Sequence, residues 1–383
     1  MFDDFINEKV ADKKEKTQYR TRVVKQSLFQ RADTLFFSGN DYLGLANHPA
    51  VVGAFAGAAK TYGVGSTASP MLVGYHEPHH ALEEAVAEFL GFPRAVIFSC
   101  GYMANLGVLS ALCGRHDTIF LDRIGHASSI DAVKLSGAKL KRYRHASVEH
   151  LADCIQGVSK RRLIVTEGVF GMDGDIAPVP ELSALAKETS SGLLVDDAHG
   201  FGIIGDGGRG VLSHYSLPAD SVDVYLATFG KAFGSYGAFA AGSEVMIDGL
   251  VQLARPYMFT TAMPPAIPAS VLAGLRVLKE EPWRHSALTD VIAYFSKGAK
   301  ERKLPILPSI TPIQVFMVGE SVDAEEAGKR LSALGILVSV IRPPTVPNKT
   351  SRLRISLNVS HAHDDLDRLL DALQSLGIRY DAP

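Results

Sequence analysis

Short apolar runs alternate with amphipathic stretches between residues 79 and 242. The runs "RAVIFSC" (94–100), "TIFLD" (118–122), "RLIVTEGVF" (162–170), "GLLVDDAH" (192–199), "VDVYLATF" (222–229) and "GAFAAG" (237–242) carry too few polar positions to alternate. That pattern predicts strands buried on both faces. Between several of them lie "HHALEEAVAEFL" (79–90), "GYMANLGVLSAL" (101–112) and "PELSALAKETS" (180–190), which read as helices. Strands separated by helices predict an α/β fold with a mostly parallel sheet covered on both faces. Ligands of such sheets bind at the carboxyl ends of the strands. The pattern changes from residue 256, where longer helices (266–280 and 285–302) precede the strands "IQVFMVG", "GILVSVI" and "SRLRISLN". A last helix is expected after Ser360, which has the residue type of an N-cap. The expected division is an N-terminal helical arm (1–44), a large α/β domain (45–255) and a smaller α+β domain (256–383).

Composition narrows the class. The chain has 383 residues, 46% of them hydrophobic and 21% charged, which is ordinary for a soluble globular protein. A net charge of −2 gives no reason to expect nucleic acid or an anionic membrane as partner. The start "MFDDFINEKVADKKEK" is too polar for a signal peptide, and no apolar run is long enough to span a bilayer. The three cysteines are odd in number and lack CxxC spacing, so reduced thiols in a cytoplasmic protein are expected.

Three motif matches fail on their chemistry. "HEPHH" (76–80) has the HExxH spacing, but Pro78 lies between the two histidines and is better placed in the first turn of the next helix. No metal site is expected. "GFGIIG" (200–205) matches the dinucleotide fingerprint and follows a strand, yet the glycine-rich "GDGGRGVLSH" after it does not read as the required helix. It keeps an NAD-dependent oxidoreductase as the competing class. "FGKAFGS" is not a phosphate loop, because Tyr225 and Ala232 occupy the positions of the loop's first glycine and its Ser or Thr. "KLKRYRH" (139–145) reads as a solvated edge strand.

What survives is a set of polar groups at strand ends. Asp196, Asp197 and His199 end one strand, Thr228 and Lys231 another, and Glu167 a third. Desolvation and nearby positive charge lower a lysine's pKa and make its amine nucleophilic toward aldehydes. Pyridoxal phosphate uses such a lysine and needs a carboxylate at its pyridine nitrogen so that the ring can act as an electron sink. Asp196 can supply that carboxylate, and His199 can hydrogen-bond the ring's phenolic oxygen. The phosphate wants a helix N-terminus, which "SCGYMAN" offers at Gly101. His126, after "TIFLD", is placed to stack on the ring. Taken singly, a lysine after a strand is ordinarily a surface residue, and "DDAH" fits an Asx turn. The weight lies in the combination. The small residues Gly230, Ala232 and Gly234 around the lysine allow close approach.

The segments "SGNDYLGLANHP" (38–49), "HASSIDA", "VTEGVFGMDGDIAP", "VDDAHGFGIIGDGGRG", "TFGKAFG" and "IRPPTVPNKTSRLRISL" (341–357) resemble the α-oxoamine synthase family of pyridoxal-phosphate enzymes. They run in family order over nearly the whole chain. The resemblance implies a type I aminotransferase-like fold with a seven-stranded type of sheet, and a homodimer with active sites at the subunit interface. It implies that an amino acid and an acyl thioester condense with loss of carbon dioxide. By the same resemblance Lys231 is the lysine joined to the cofactor, Asp196 pairs with the pyridinium, His199 contacts the phenolic oxygen and His126 stacks on the ring. Gly101 and Tyr102 lie near the phosphate, Thr228 supports the phosphate or the lysine, and Thr260 and Thr261 reach the phosphate across the dimer. Asn40 and Glu167 orient the lysine or the reacting carbonyl, and Arg354 binds the amino-acid carboxylate.

"IRPPTVP", with Arg342 and Thr345, is most similar to the branch of the family that joins L-alanine to pimeloyl-CoA or pimeloyl-acyl carrier protein in biotin biosynthesis. Arg20 matches an arginine near the acyl substrate. The branches that use glycine, of the 2-amino-3-ketobutyrate ligase and 5-aminolevulinate synthase types, are the alternatives within the family. Two departures stand out. Gly171 replaces the serine of "VFSMDGD", and "GSTASP" (65–70) replaces a glycine-rich "GSGGS".

Overall fold

Alternate residues of the central strands enter two separate hydrophobic clusters. Ile97, Phe120, Ile164, Val195 and Tyr225 belong to one, and Phe98, Leu121, Val165, Leu194 and Leu226 to the other. Both faces of the sheet are therefore dry, which is why its strands read as unbroken apolar runs. The computed structural model describes residues 1–15, 19, 22, 34–158 and 160–380. Among them the strands, in chain order, are β1 (Leu35–Phe37), β2 (Arg94–Phe98), β3 (Thr118–Asp122), β4 (Lys139–Tyr143), β5 (Arg162–Glu167), β6 (Gly192–Asp196), β7 (Val224–Thr228), β8 (Ala238–Gly242), β9 (Ile313–Gly319), β10 (Ile336–Ile341) and β11 (Ser351–Ser356).

The large sheet has seven strands in the order β2-β8-β7-β6-β5-β3-β4. All its pairings are parallel except those of β8, which runs antiparallel to β2 and β7. The basic run forms β4 at the sheet's edge. A second sheet has the order β1-β10-β11-β9, with β1 parallel to β10 and the other pairs antiparallel. The segment just before the "SGNDYLGL" stretch is thereby held by the C-terminal strands. Helices Ala266–Glu280 and Trp283–Glu301 follow the large sheet, and helix Phe2–Glu15 precedes both sheets.

One local expectation resolves differently. The last helix runs His363–Ser375 and its N-cap is Ala362, not Ser360. Asp365 accepts a hydrogen bond from Ala362 N at 3.0 Å, while the Ser360 hydroxyl donates to Asn358 Oδ1 at 2.6 Å in the preceding turn. Over "GFGIIG" the chain makes turns and then a 3₁₀ segment, Asp206–Gly208. The helix that a dinucleotide site requires does not start there, so the oxidoreductase reading loses its support. In "HEPHH", His76 is the N-cap of helix Glu77–Leu90, and His79 Nε2 lies 2.8 Å from the carbonyl oxygen of Met263. Among the described residues no group of three or more His, Cys, Asp or Glu is placed to hold a metal ion.

Candidate active site

Parallel pairing sets the carboxyl ends of β5, β6 and β7 side by side. Glu167 is the register partner of Asp196, and Asp196 of Leu226, two residues before Thr228. The turns that leave these ends are joined as well: Gly168 N donates to Asp196 O at 2.8 Å, and Asp197 N to Leu226 O at 2.7 Å. The two adjacent aspartates separate in role. Asp197 is fully buried, and its Oδ2 accepts from the Tyr225 hydroxyl and from Val211 N, each at 2.6 Å. Burial raises its pKa to about 7. It fastens the "GFGIIGDGGRG" loop, and Gly210 (φ +83) must be glycine because a Cβ there would lie 2.2 Å from Asp197 Oδ2. Asp196 points to the opposite task. Its Oδ2 accepts from Asn105 Nδ2 at 2.7 Å and its Oδ1 from Ala198 N at 3.2 Å. Asn105, on helix Gly101–Leu112, is itself held by Ser128 (3.1 Å) and Ser129 (3.3 Å).

Lys231 lies three residues beyond β7 and is half-buried. Burial pushes its amine below the ordinary lysine range; Asp196 and Glu167 oppose the shift and Arg354 adds to it. Glu167 is pushed the other way, by burial and then by the charge on Asp196. The amine therefore releases its proton more readily than an ordinary lysine, beside a carboxyl that holds its proton more tightly than usual. Glu167 Oε2 accepts from Gly171 N at 3.2 Å, and Arg354 Nε donates to Gly171 O at 2.7 Å. Gly171 also abuts His199: a Cβ at 171 would come within 2.3 Å of Nε2. The serine of the related motif has no room here with His199 in this position.

Arg354, on β11, donates to Ser356 Oγ (3.1 Å), Tyr42 Oη (3.2 Å) and Asn40 Oδ1 (3.3 Å). Tyr42 Oη is also 2.9 Å from His199 Nδ1. Burial holds His199 well below the usual histidine pKa, reinforced by Lys231, Arg354 and His126. His126 is the N-cap of helix Ala127–Ser136, with Nδ1 2.7 Å from Ser128 Oγ. Its ring is solvent-exposed, yet enough protein surrounds it for desolvation to lower its pKa, with Asp196 opposing and Lys231 adding. The N-terminus of helix Gly101–Leu112 comes against β7, where a Cβ on Gly101 would sit 3.8 Å from Thr228 Cβ. Thr228 Oγ1 donates to Gly237 O at 2.8 Å and accepts from Gly230 N at 3.2 Å, fixing the turn that carries Lys231.

The structure thus groups Lys231, Asp196, Glu167, His199, Gly171, Arg354 and Asn40, with His126, Gly101 and Thr228 at its margins. The remaining expected residues make their contacts outside this cluster. Tyr102 is exposed and donates to Asp131. Thr260 and Thr261 line a small cavity with Tyr75, His79, Ser99 and Tyr257. The "GSTASP" loop is fastened beside them: Ser66 Oγ donates to Met263 O, Ala262 N donates to Ala68 O at 2.9 Å, and Thr67 has a φ of +63. Arg342 pairs with Glu325, and Thr345 N donates to Arg342 O at 3.0 Å. Arg20 lies outside the described residues.

Residues 32–373 match the model of the family described as aminotransferase class I and II. An 8-amino-7-oxononanoate synthase from Methylococcus capsulatus is 48% identical over 371 residues, covering 95% of this chain and 96% of that one. Another from Stutzerimonas stutzeri is 50% identical over 343 residues, covering 88% and 86%. The chain belongs to the α-oxoamine synthase family, within the class I and II aminotransferases. Solved α-oxoamine synthases superimpose on it closely. The serine palmitoyltransferase of S. paucimobilis with bound PLP and myriocin has a TM-score of 0.90 at 30% identity, covering 98% of this chain and 97% of that one. An 8-amino-7-oxononanoate synthase from Francisella tularensis has a TM-score of 0.80 at 32% identity, covering 90% and 98%.

Two residues of the cluster escape the sequence reading. Asn105 is a buried amide inside an apolar helix, a position at which a polar side chain signals a partner to be found. Tyr42 sits in the "SGNDYLGL" motif beside Asn40, but nothing local distinguishes it from a core tyrosine; its fully buried hydroxyl becomes informative only when β11 and the loop after β6 are in place.

Proposed function

We propose that this chain joins L-alanine to a pimeloyl thioester, carried by CoA or by acyl carrier protein, and releases 8-amino-7-oxononanoate, carbon dioxide and the free thiol in biotin biosynthesis. The observation that carries the reading is the meeting of Lys231, Asp196, His199 and Arg354 in one cluster. Relatives of near half identity bear the name of that synthase. The donor set fits pyridoxal 5'-phosphate: an amine lowered by burial, a carboxylate held by an amide donor, a neutral histidine, and a helix N-terminus beside a threonine.

Bound there, the cofactor supplies an electron sink for negative charge on the amino acid's α-carbon. The protein's own work follows from the cluster. Lys231 would be the covalent attachment point, and its amine, lowered by burial, would take the α-proton at Nζ. Asp196 holds a proton on the ring nitrogen, and Asn105 holds Asp196. His199 would donate to the phenolic oxygen, His126 would stack on the ring and assist proton transfer, and the Gly101 helix end with Thr228 and Tyr102 would receive the phosphate. Arg354 binds the amino-acid carboxylate while Asn40 and Glu167 orient the reacting groups. Arg20, Arg342 and Thr345 are assigned to the acyl substrate.

The reading carries a homodimer in which Thr260 and Thr261 reach the phosphate across the interface, and a cytoplasmic location. Among the described residues no helix is long and apolar enough to cross a membrane, and Cys100, Cys113 and Cys154 are free thiols. It also carries the division into arm (1–44), cofactor domain (45–255) and small domain (256–383); the seven-stranded sheet lies within 94–242 and β9–β11 within 313–356, while β1 of the arm pairs with β10. The test is thiol release from a panel of amino acids and thioesters. L-Alanine with pimeloyl-CoA or pimeloyl-acyl carrier protein should be fastest. Faster turnover of glycine with acetyl-CoA or succinyl-CoA contradicts the assignment.

A further inference from the structure

We infer that His79, with its hydrogen on Nε2, ties Met263 to the first turn of helix Glu77–Leu90 and so positions Thr260 and Thr261 for the cofactor phosphate. The task of the two threonines rests on the function proposed above; the tie itself does not.

His79 is buried, and both of its ring nitrogens face main-chain groups whose hydrogen-bonding roles are fixed. His76 N lies 3.1 Å from Nδ1. A peptide N–H only donates, so Nδ1 accepts. Met263 O lies 2.8 Å from Nε2. A carbonyl oxygen only accepts, so Nε2 carries the hydrogen. The opposite tautomer would set two hydrogens against each other at His76 and two lone pairs at Met263. A doubly protonated ring keeps the first of these conflicts, and burial lowers the ring's pKa in the same sense. The two bonds do different work. At Nδ1 the side chain at N3 satisfies the N–H of the helix N-cap. At Nε2 it leaves the helix and holds a residue 184 positions further along the chain. Met263 O also accepts from Ser66 Oγ, and Ala262 N donates to Ala68 O at 2.9 Å. The segment 260–263 is thereby held by the helix on one side and by the "GSTASP" loop on the other. His79, Thr260 and Thr261 line the same small cavity, so the tie lies next to the threonines it sets. His79 touches neither substrate nor cofactor in this scheme; it is a positioning residue.

The test uses full-length protein labelled with ¹⁵N-histidine, first without cofactor, with the His79 signals assigned by their loss in His79→Gln. The wild type should show the Nε2–H tautomer. Two variants then separate the two bonds. An asparagine amide reaches about as far as Nδ1 and a glutamine amide about as far as Nε2. His79→Asn therefore keeps the cap and loses the tie, while His79→Gln keeps the tie. Amide hydrogen exchange over residues 260–263, followed by mass spectrometry, should quicken about 3- to 10-fold in His79→Asn, the effect of one neutral hydrogen bond, and stay near the wild-type rate in His79→Gln. Cofactor retention, titrated by visible absorbance, should weaken by a similar factor in His79→Asn alone. A wild-type His79 that carries its hydrogen on Nδ1 overturns the inference without any variant, as does unchanged exchange in folded His79→Asn or equally fast exchange in His79→Gln. Normal cofactor retention in His79→Asn, where Thr260→Val and Thr261→Val weaken it, overturns the positioning role. Normal retention in Thr260→Val and Thr261→Val themselves overturns the phosphate reading instead and leaves the tie standing.

Discussion

Replacing His145 with Gln should destabilise the protein by about 2 kcal/mol near neutral pH, with a gap that closes as the pH approaches 10. His145 follows β4 and bridges two carboxylates: Nδ1 is 3.1 Å from Asp122, which is fully buried, and Nε2 is 2.9 Å from Asp175. Its ring meets Phe170 edge-on at 4.5 Å. Asp175 and Phe170 close the hairpin that presents Gly171 to the active site, through Phe170 N donating to Asp175 O at 2.9 Å. Burial alone would lower the histidine's pKa, but the hydrogen bonds and charges of Asp122 and Asp175 win and raise it from 6.5 to about 10. The shift corresponds to roughly 5 kcal/mol; solvent screening of a ring and an Asp175 that are each about a third exposed reduces it to ~2 kcal/mol. The folded protein binds this proton more tightly than the unfolded chain does. The stabilisation is therefore complete below pH 6.5 and is lost as the pH rises through about 10. Gln keeps one side-chain donor, as a neutral histidine would, so the two proteins converge in alkali. Denaturant unfolding of wild type and His145→Gln at several pH values between 6 and 10 checks this. A gap that stays constant, or widens as the pH rises, refutes the reasoning.

Asn105→Ala leaves the buried Asp196 carboxylate without its amide donor; cofactor retention, titrated by visible absorbance, should weaken about 10- to 100-fold, matching the ~1.5–3 kcal/mol of a hydrogen bond to a charged group. Gly171→Ser restores the side chain of the related motif but puts a Cβ 2.3 Å from His199 Nε2. Displacing that ring by about 1 Å should lower kcat by up to ~100-fold in steady-state assays, while the fold by circular dichroism stays intact.

Much of the site was legible because β-strands deliver their last residues to a predictable place. "VTEG", "VDDAH" and "ATFGK" each end an apolar run in polar groups, and parallel pairing brings Glu167, Asp196 and the Lys231 turn together. The failure of "GFGIIG" as a nucleotide motif was legible for a similar reason, since the missing helix is a local property. What stayed hidden depends on tertiary apposition. Asp196 and Asp197 are equivalent on paper; only the pleat and the approach of Tyr225 make Asp197 a structural anchor. Asn105 and Tyr42 act through partners 91 and 157 residues away. Ser360 has the right residue type for a helix cap, but Asn358 captures its hydroxyl first.

The central claim is that Lys231 forms the covalent bond to the cofactor aldehyde. Reducing the loaded enzyme with borohydride and mapping the peptides by mass spectrometry tests it directly. The account predicts a pyridoxyl adduct on Lys231, and a Lys231→Ala protein that folds but has no adduct and nearly no turnover. An adduct on a different lysine, or normal turnover in Lys231→Ala, contradicts it.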